Sequence, residues 1–191
     1  MSGGLLTTLH IPFGATSTAA EIVAGVDLSG KRAIVTSGAG DEAARALALA
    51  GAEVTVPALD FSNPASIQAY LTVWRGPLDI LVCIASGLGH FAFAIGLHGA
   101  LRQSGHKRVV VENVLFAIEV ARRWKRDGIA VNAAGPGAAT SVLLAASPLV
   151  EGVSGAFFED CRPHKPGAHD LDRAARLWDM SLEWIGQRAH G

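Results

Sequence analysis

Ser37-Gly38-Ala39-Gly40 stands between an apolar run, Ala33-Ile34-Val35-Thr36, and an Ala- and Leu-rich segment over 41–50. Strand, glycine turn and helix in that order let a backbone approach a phosphate, with free N–H groups and the positive end of a helix dipole aimed at it. Gly38 and Gly40 are therefore candidate phosphate-binding residues. Asp41 and Glu42 follow at once, in the first turn of the helix. Each carboxylate complements the dipole by about 0.3–1 kcal/mol and would repel a diphosphate. A plain tight turn explains the two glycines equally well.

Other groups that could do chemistry read more simply as structure. His90 lies in an apolar helix and is expected to pack in the core. His164, His169 and Asp170 share one polar loop, with a spacing that matches no metal motif. Cys83 sits in an apolar strand as a small buried hydrophobe, and Cys161 reads as a free thiol in a late loop. Two cysteines supply neither a zinc set nor a disulfide framework. Arg122, Arg123, Lys125 and Arg126 read as exposed charge at a helix carboxyl end.

These groups need a frame, and the pattern supplies one. Strands are predicted at 33–36, 53–56, 78–85, 108–111, 129–133 and 155–158. The second continues through 57–60, and 53–59 reads as one strand made from two. Helices are predicted at 18–25, 41–50, 64–74, 87–101, 113–126, 138–146 and 171–185, with 162–170 a polar loop. Thr18 and Glu21 have capping-box spacing, and Pro64 suits a first helical position. The alternation predicts a Rossmann-like three-layer α/β domain over 1–191 with a mostly parallel sheet, 1–30 forming a helical extension. Phe116, Val120 and Trp124 form one stripe on helix 113–126, and Val114, Ile118 and Ala121 a second. One face would cover the sheet; the other would meet a partner in a homodimer or be buried within the chain.

The 191 residues are 50% hydrophobic and 17% charged, with a formal net charge of −1. No basic stripe or aromatic platform suggests nucleic acid. Residues 80–101 and 129–150 carry no Asp, Glu, Lys or Arg, yet Gly, Ser, His and Pro divide each into strand, turn and helix, so no membrane span is expected. The N-terminus lacks the pattern of a signal peptide, and a cytoplasmic protein is expected.

The order of short motifs resembles the short-chain dehydrogenase/reductase family, in its retinol-dehydrogenase-like and WW-domain-oxidoreductase-like branch. The matching runs include Asp27-Leu28-Ser29-Gly30-Lys31, Leu59-Asp60, Gly76-Pro77-Leu78-Asp79-Ile80-Leu81-Val82 and Leu88-Gly89-His90-Phe91. Further on come Asn113-Val114-Leu115-Phe116-Ala117, Gly128-Ile129-Ala130-Val131-Asn132, Pro136-Gly137 and Phe158-Glu159-Asp160. The resemblance implies an NAD- or NADP-dependent oxidoreductase of alcohol or carbonyl substrates. It places Asp60 near the adenine, whereas the residues alone make Asp60 equally a cap for the helix at Pro64.

The resemblance also shows where this sequence departs from the family. The glycine loop is shorter than Thr-Gly-x-x-x-Gly-x-Gly, with Ser37 at the first glycine. The Asn-Asn-Ala-Gly motif falls on Cys83-Ile84-Ala85, and the active-site Asn on Ser86. Val111 passes straight to Glu112-Asn113-Val114, without the family's Ser or Tyr-x-x-x-Lys, and the one tyrosine, Tyr70, lies in another helix. In the family reaction that tyrosine moves the hydroxyl proton and the lysine lowers its pKa. No catalytic residue is assigned. The alternative is a non-catalytic remnant acting as a binding or dimerisation module.

Overall fold

The computed structural model describes residues 9–36, 41–85, 87–164, 171–184 and 186. Gly38 and Gly40, Ser86, and His169 with Asp170 lie outside them. The elements run α1 (Ala19–Val23), β1 (Arg32–Val35), α2 (Asp41–Leu49), β2 (Glu53–Thr55), α3 (Pro64–Val73), β3 (Ile80–Cys83), α4 (Leu88–Gly96) and α5 (His98–Arg102). They continue with β4 (Arg108–Val111), α6 (Val114–Trp124), β5 (Ala130–Ala134), α7 (Ala138–Ala146), β6 (Phe157–Glu159), β7 (Arg162–His164) and α8 (Leu171–Trp184). The strands form one sheet in the order β2-β1-β3-β4-β5-β6-β7, parallel except for β6–β7. This is the expected Rossmann-like, mostly parallel architecture.

Strands β1, β3, β4 and β5 are Ala-, Val-, Ile- and Leu-rich because helices cover both faces of the sheet. One core joins Ala33, Val35, Ile80, Val82 and Val110 to α1, α2 and α7. The other joins Ile34, Leu81, Cys83, Val109, Val111 and Val131 to α3, α4, α5, α6 and α8. Alternate residues of one strand thus serve opposite cores. Helix α1 carries the capping box: Glu21 N–H donates to Thr18 Oγ1 (3.2 Å) and Thr18 N–H to Glu21 Oε2 (2.7 Å).

Several boundaries differ from expectation. The second strand stops at Thr55, and residues 56–60 leave the sheet. Pro57 has no N–H to continue a ladder. The helix expected over 87–101 breaks at Leu97, whose N–H is shared between the Phe93 and Ala94 carbonyls. The polar loop is a strand at its start: Asp160 and Cys161, at φ 51° and 59°, form a two-residue turn that folds β7 back onto β6. Cys161 is fully buried there, its N–H donating to Thr140 Oγ1 of α7 (3.1 Å).

The basic end of α6 is only partly free charge. Glu119, almost fully buried, accepts from Arg122 Nη2 (2.7 Å) and Nε (3.0 Å) and from Arg123 Nε (2.7 Å). The Arg123 guanidinium lies 4.6 Å from the Trp178 ring centroid, which ties α6 to α8. The Phe116, Val120 and Trp124 stripe is buried, with Trp124 edge-on to Trp178 at 6.2 Å. The second stripe is half-buried; its Ile118 and Ala121 border an open groove of about 550 Å³ with Ile129, Val153 and Ala156.

The arginine hydrogen bonds hold the Glu119 carboxyl below its ordinary value of 4.5, against its burial. A depressed carboxyl pKa adds stability above the unfolded-state value, and that stability is lost as pH falls through the folded value. Wild type is therefore expected to melt higher than Glu119→Gln near neutral pH, with the gap closing below about pH 4. Thermal melts of the two proteins across that range measure it.

Candidate functional site

The sheet order places β1 between β2 and β3, so the chain runs from β1 out to β2 and then crosses back over β1 to reach β3 on its other side. The crevice at the carboxyl ends of β1 and β3 is where open α/β sheets bind ligands. Fully buried Thr36 fastens these ends together. Its N–H donates to the Val82 carbonyl (2.9 Å), and its Oγ1 accepts from Ile84 N–H (3.1 Å). At the opposite end, Asp79 accepts from Arg32 N–H (2.9 Å) and the Ser104 hydroxyl (2.5 Å), which fixes the start of β1 against β3.

Around the crevice the first turn of α2 presents Asp41 and Glu42, both exposed. Asp60 is exposed and is not the cap of α3: Asn63 Oδ1 accepts from Ala65 N–H (3.0 Å) instead. The Asp60 carboxylate accepts from the Ser62 hydroxyl (2.6 Å) and Ser62 N–H (2.9 Å), which hold it below the usual carboxylate range. The two groups come within one loop because a short polar turn satisfies its own backbone. Next to it the Phe61 ring stacks on His90 at 3.9 Å and meets Phe93 edge-on at 5.5 Å. His90 is half-buried, and burial lowers its pKa. It stacks between α4 and the 60–63 loop, at the edge of the core rather than within it as expected.

The close approach that makes this stack possible is at Gly89. A Cβ there would lie 1.8 Å from the Phe61 carbonyl oxygen. Neither this contact nor the Thr36 staple was read from the sequence. A glycine in the first turn of an otherwise apolar helix is the signal that marks such an approach.

On the far side of the crevice, β4 ends at Val111 and Glu112 leads directly to Asn113, the cap of α6, whose Oδ1 accepts from Phe116 N–H (2.9 Å). Gly135 N–H donates to the Phe158 carbonyl (2.7 Å), and Glu159 packs against Gly135. Tyr70 is elsewhere, on α3 between Trp74 and Phe93 and within the influence of Arg32 at the amino end of β1. Burial raises its pKa above the ordinary phenol value. His164 lies on β7 beside Phe157. No group of three metal-binding side chains occurs among the described residues, and no described helix is long and apolar enough to cross a membrane.

Both thiols are buried. Burial pushes the Cys83 thiol up to about 12, and burial also raises Cys161. The native protein is expected to resist a thiol reagent at mildly alkaline pH and to titrate two thiols after unfolding. Rapid labelling of the folded protein would contradict this packing.

No family model matches the sequence. The chain is 34% identical to a Streptomyces antibioticus protein described as "Probable oxidoreductase", over 83% of this chain and 98% of that one. The alignment runs over 294 positions, more than the 191 residues present, so it passes over segments that the relative has and this chain lacks. A short-chain type dehydrogenase/reductase from Mycobacterium marinum superposes with a TM-score of 0.60 at 19% identity, covering 72% of this chain and 96% of that one. The chain belongs to the short-chain dehydrogenase/reductase family. The WW domain-containing oxidoreductase of Danio rerio, 25% identical over 90% of this chain and 72% of its own length, is a further relative.

The family uses nicotinamide cofactors, so the crevice must be tested against one. Its described residues do not fit a diphosphate. The positive end of α2 is already complemented by Asp41 and Glu42. The Asp60 carboxylate is satisfied by Ser62. Thr55, Val56 and Pro57 at the end of β2 supply neither an acid for a ribose hydroxyl nor a base for a 2′-phosphate.

Proposed function

We propose that this chain keeps the α/β frame of a short-chain dehydrogenase/reductase without its hydride chemistry, as a non-catalytic member of an oxidoreductase family. The observation that carries this reading is the carboxyl end of β4. There Val111, Glu112 and Asn113 lead into α6 without a break, and the sequence's one tyrosine sits on α3 facing Trp74 and Phe93. A carbonyl oxygen in the crevice would have no phenol to exchange a proton with. Loss of a positioned acid or base alone costs on the order of 10²–10⁴ in rate.

NAD or NADP binding through Gly38, Gly40 and Asp60 would be weak on this reading, because a diphosphate would face Asp41 and Glu42. Titration of the protein with NADH and NADPH, followed by calorimetry, tests it. The expected dissociation constants are about 1 mM or weaker. The double variant Asp41→Asn, Glu42→Gln should bind more tightly, by roughly tenfold, once the like charges are removed. Micromolar binding by wild type would contradict the reading of the crevice. The family relationship favours one other function, an active NAD(P)-dependent oxidoreductase of an alcohol or carbonyl compound. Steady turnover of such substrates distinguishes it.

A further inference from the structure

The groove beside α6 lies at the amino ends of β5 and β6, at the opposite end of the sheet from the crevice. It holds about 550 Å³ over a floor of Ile118, Ala121, Ile129, Val153 and Ala156. That volume is within the range of small-molecule sites. Its main chain has an unfilled ladder position. In a parallel ladder, alternate residues of a strand bond to the same neighbour. Ala130 N–H donates to the Lys107 carbonyl (2.9 Å) on the β4 side, so the odd-numbered residues of β5 face β6. Ala133 N–H accordingly donates to the Ala156 carbonyl (2.8 Å) and Val131 N–H to Ser154 Oγ (3.1 Å). The Val131 carbonyl accepts from Gly155 N–H (2.7 Å).

Ile129 is next in this series. The chain ahead of β6 turns away at Gly152, at φ 76°, and neither the N–H nor the C=O of Ile129 has a hydrogen-bond partner among the described residues. Yet Ile129 is only 2% exposed. A buried donor without a partner is rare and costly, and it marks a place where another group supplies the acceptor. One extended secondary amide would meet both groups, as a ladder residue does. The rim of the groove is cationic. The exposed Lys125 ammonium has no partner among the described residues, and Arg122 uses Nε and Nη2 on Glu119, leaving Nη1 for another acceptor. Asp127, the other acid nearby, is held by His98 (2.9 Å) and Arg102 (3.1 Å). Such a rim favours an anion.

We propose that this groove binds an N-acyl amino acid, a small molecule that carries an amide, apolar groups and a carboxylate together. Its amide pairs with the N–H and C=O of Ile129. Its acyl chain and side chain cover Ile118, Ala121, Val153 and Ala156, and its carboxylate meets Lys125 and Arg122. A simple fatty carboxylate suits the floor and the rim but has no donor for the Ile129 carbonyl. A cationic amphiphile would be repelled at the rim. The proposal does not depend on the reading of the crevice, because the two sites lie at opposite ends of the sheet.

Titration of the isotope-labelled full chain with N-octanoyl-leucine, followed by NMR, tests the proposal. Saturable binding is expected, with the Ile129 amide proton moving downfield and exchanging more slowly with solvent. N-octanoyl-leucinamide, which keeps the amide and loses the carboxylate, should bind roughly fivefold more weakly. Octanoate, which lacks the amide, should also bind more weakly and leave the Ile129 amide less protected. Lys125→Glu changes an exposed side chain, leaves folding intact and should weaken N-octanoyl-leucine by roughly fivefold or more. An absence of saturable binding, an Ile129 amide that does not respond, undiminished affinity in Lys125→Glu, or shifts centred on the crevice around Thr36 and Ile84 would overturn the proposal.

Discussion

Gly89→Ala is expected to destabilise the fold by about 2 kcal/mol or more. The added methyl would sit 1.8 Å from the Phe61 carbonyl oxygen and 2.9 Å from its carbonyl carbon. Both are backbone atoms, so no rotamer change relieves the clash; the 60–63 loop must leave α4. With it go the Phe61–His90 stack and the edge contact with Phe93. Two other glycines calibrate the effect. At Gly96 a Cβ meets the end of the flexible Leu71 side chain, which can yield in part. At Gly99, in α5, it meets nothing within 4 Å, and alanine there should stabilise by about 0.5–1 kcal/mol through helix propensity. Chemical denaturation of the three variants should rank them in that order, Gly89→Ala worst. An unperturbed Gly89→Ala protein would mean that the loop does not rest on α4.

Arg108→Met is expected to cost about 2–4 kcal/mol. Arg108 opens β4 and is buried, yet Nη1 reaches the Leu144 carbonyl (3.3 Å) and the Ser147 carbonyl (3.0 Å) at the end of α7. It places a positive charge where the α7 dipole is negative and satisfies carbonyls that helix ending leaves open. Methionine keeps most of the volume but neither function. Arg108→Lys should recover part of the loss, since an ammonium keeps the charge without the planar fork. Denaturant midpoints of the three proteins measure the difference. Equal midpoints for Met and Lys would show that only packing matters at this site.

The frame of this protein was legible in its sequence because it rests on local periodicity. Apolar runs such as Ile80–Cys83 and Arg108–Val111, separated by helical segments, leave little choice but a parallel sheet covered on both faces. What the sequence did not reveal depends on contacts between distant residues. The β7 strand exists because a turn at Asp160-Cys161 adopts positive φ, with Cys161 buried under Thr140. No residue in that turn is a glycine to announce it. Asp60 and Asn63 are both plausible caps by type, and only the geometry of the loop assigns that role to Asn63. The Thr36 staple joins residues 46 and 48 positions apart. The start of α2 was legible: Asp41 and Glu42 stand in its first turn, as the Ala- and Leu-rich segment after them implies.

The most direct test of the account is hydride transfer itself. The protein, in excess over NADPH deuterated at the transferable position, is incubated with a panel of aldehydes and ketones, and the products are analysed by mass spectrometry. Excess protein removes any dependence on turnover and offsets weak binding. The account predicts no deuterium in the alcohol products beyond the protein-free control, for wild type and for Asp41→Asn, Glu42→Gln alike. Deuterium transferred in proportion to protein would show that the crevice still performs the family reaction and would contradict it.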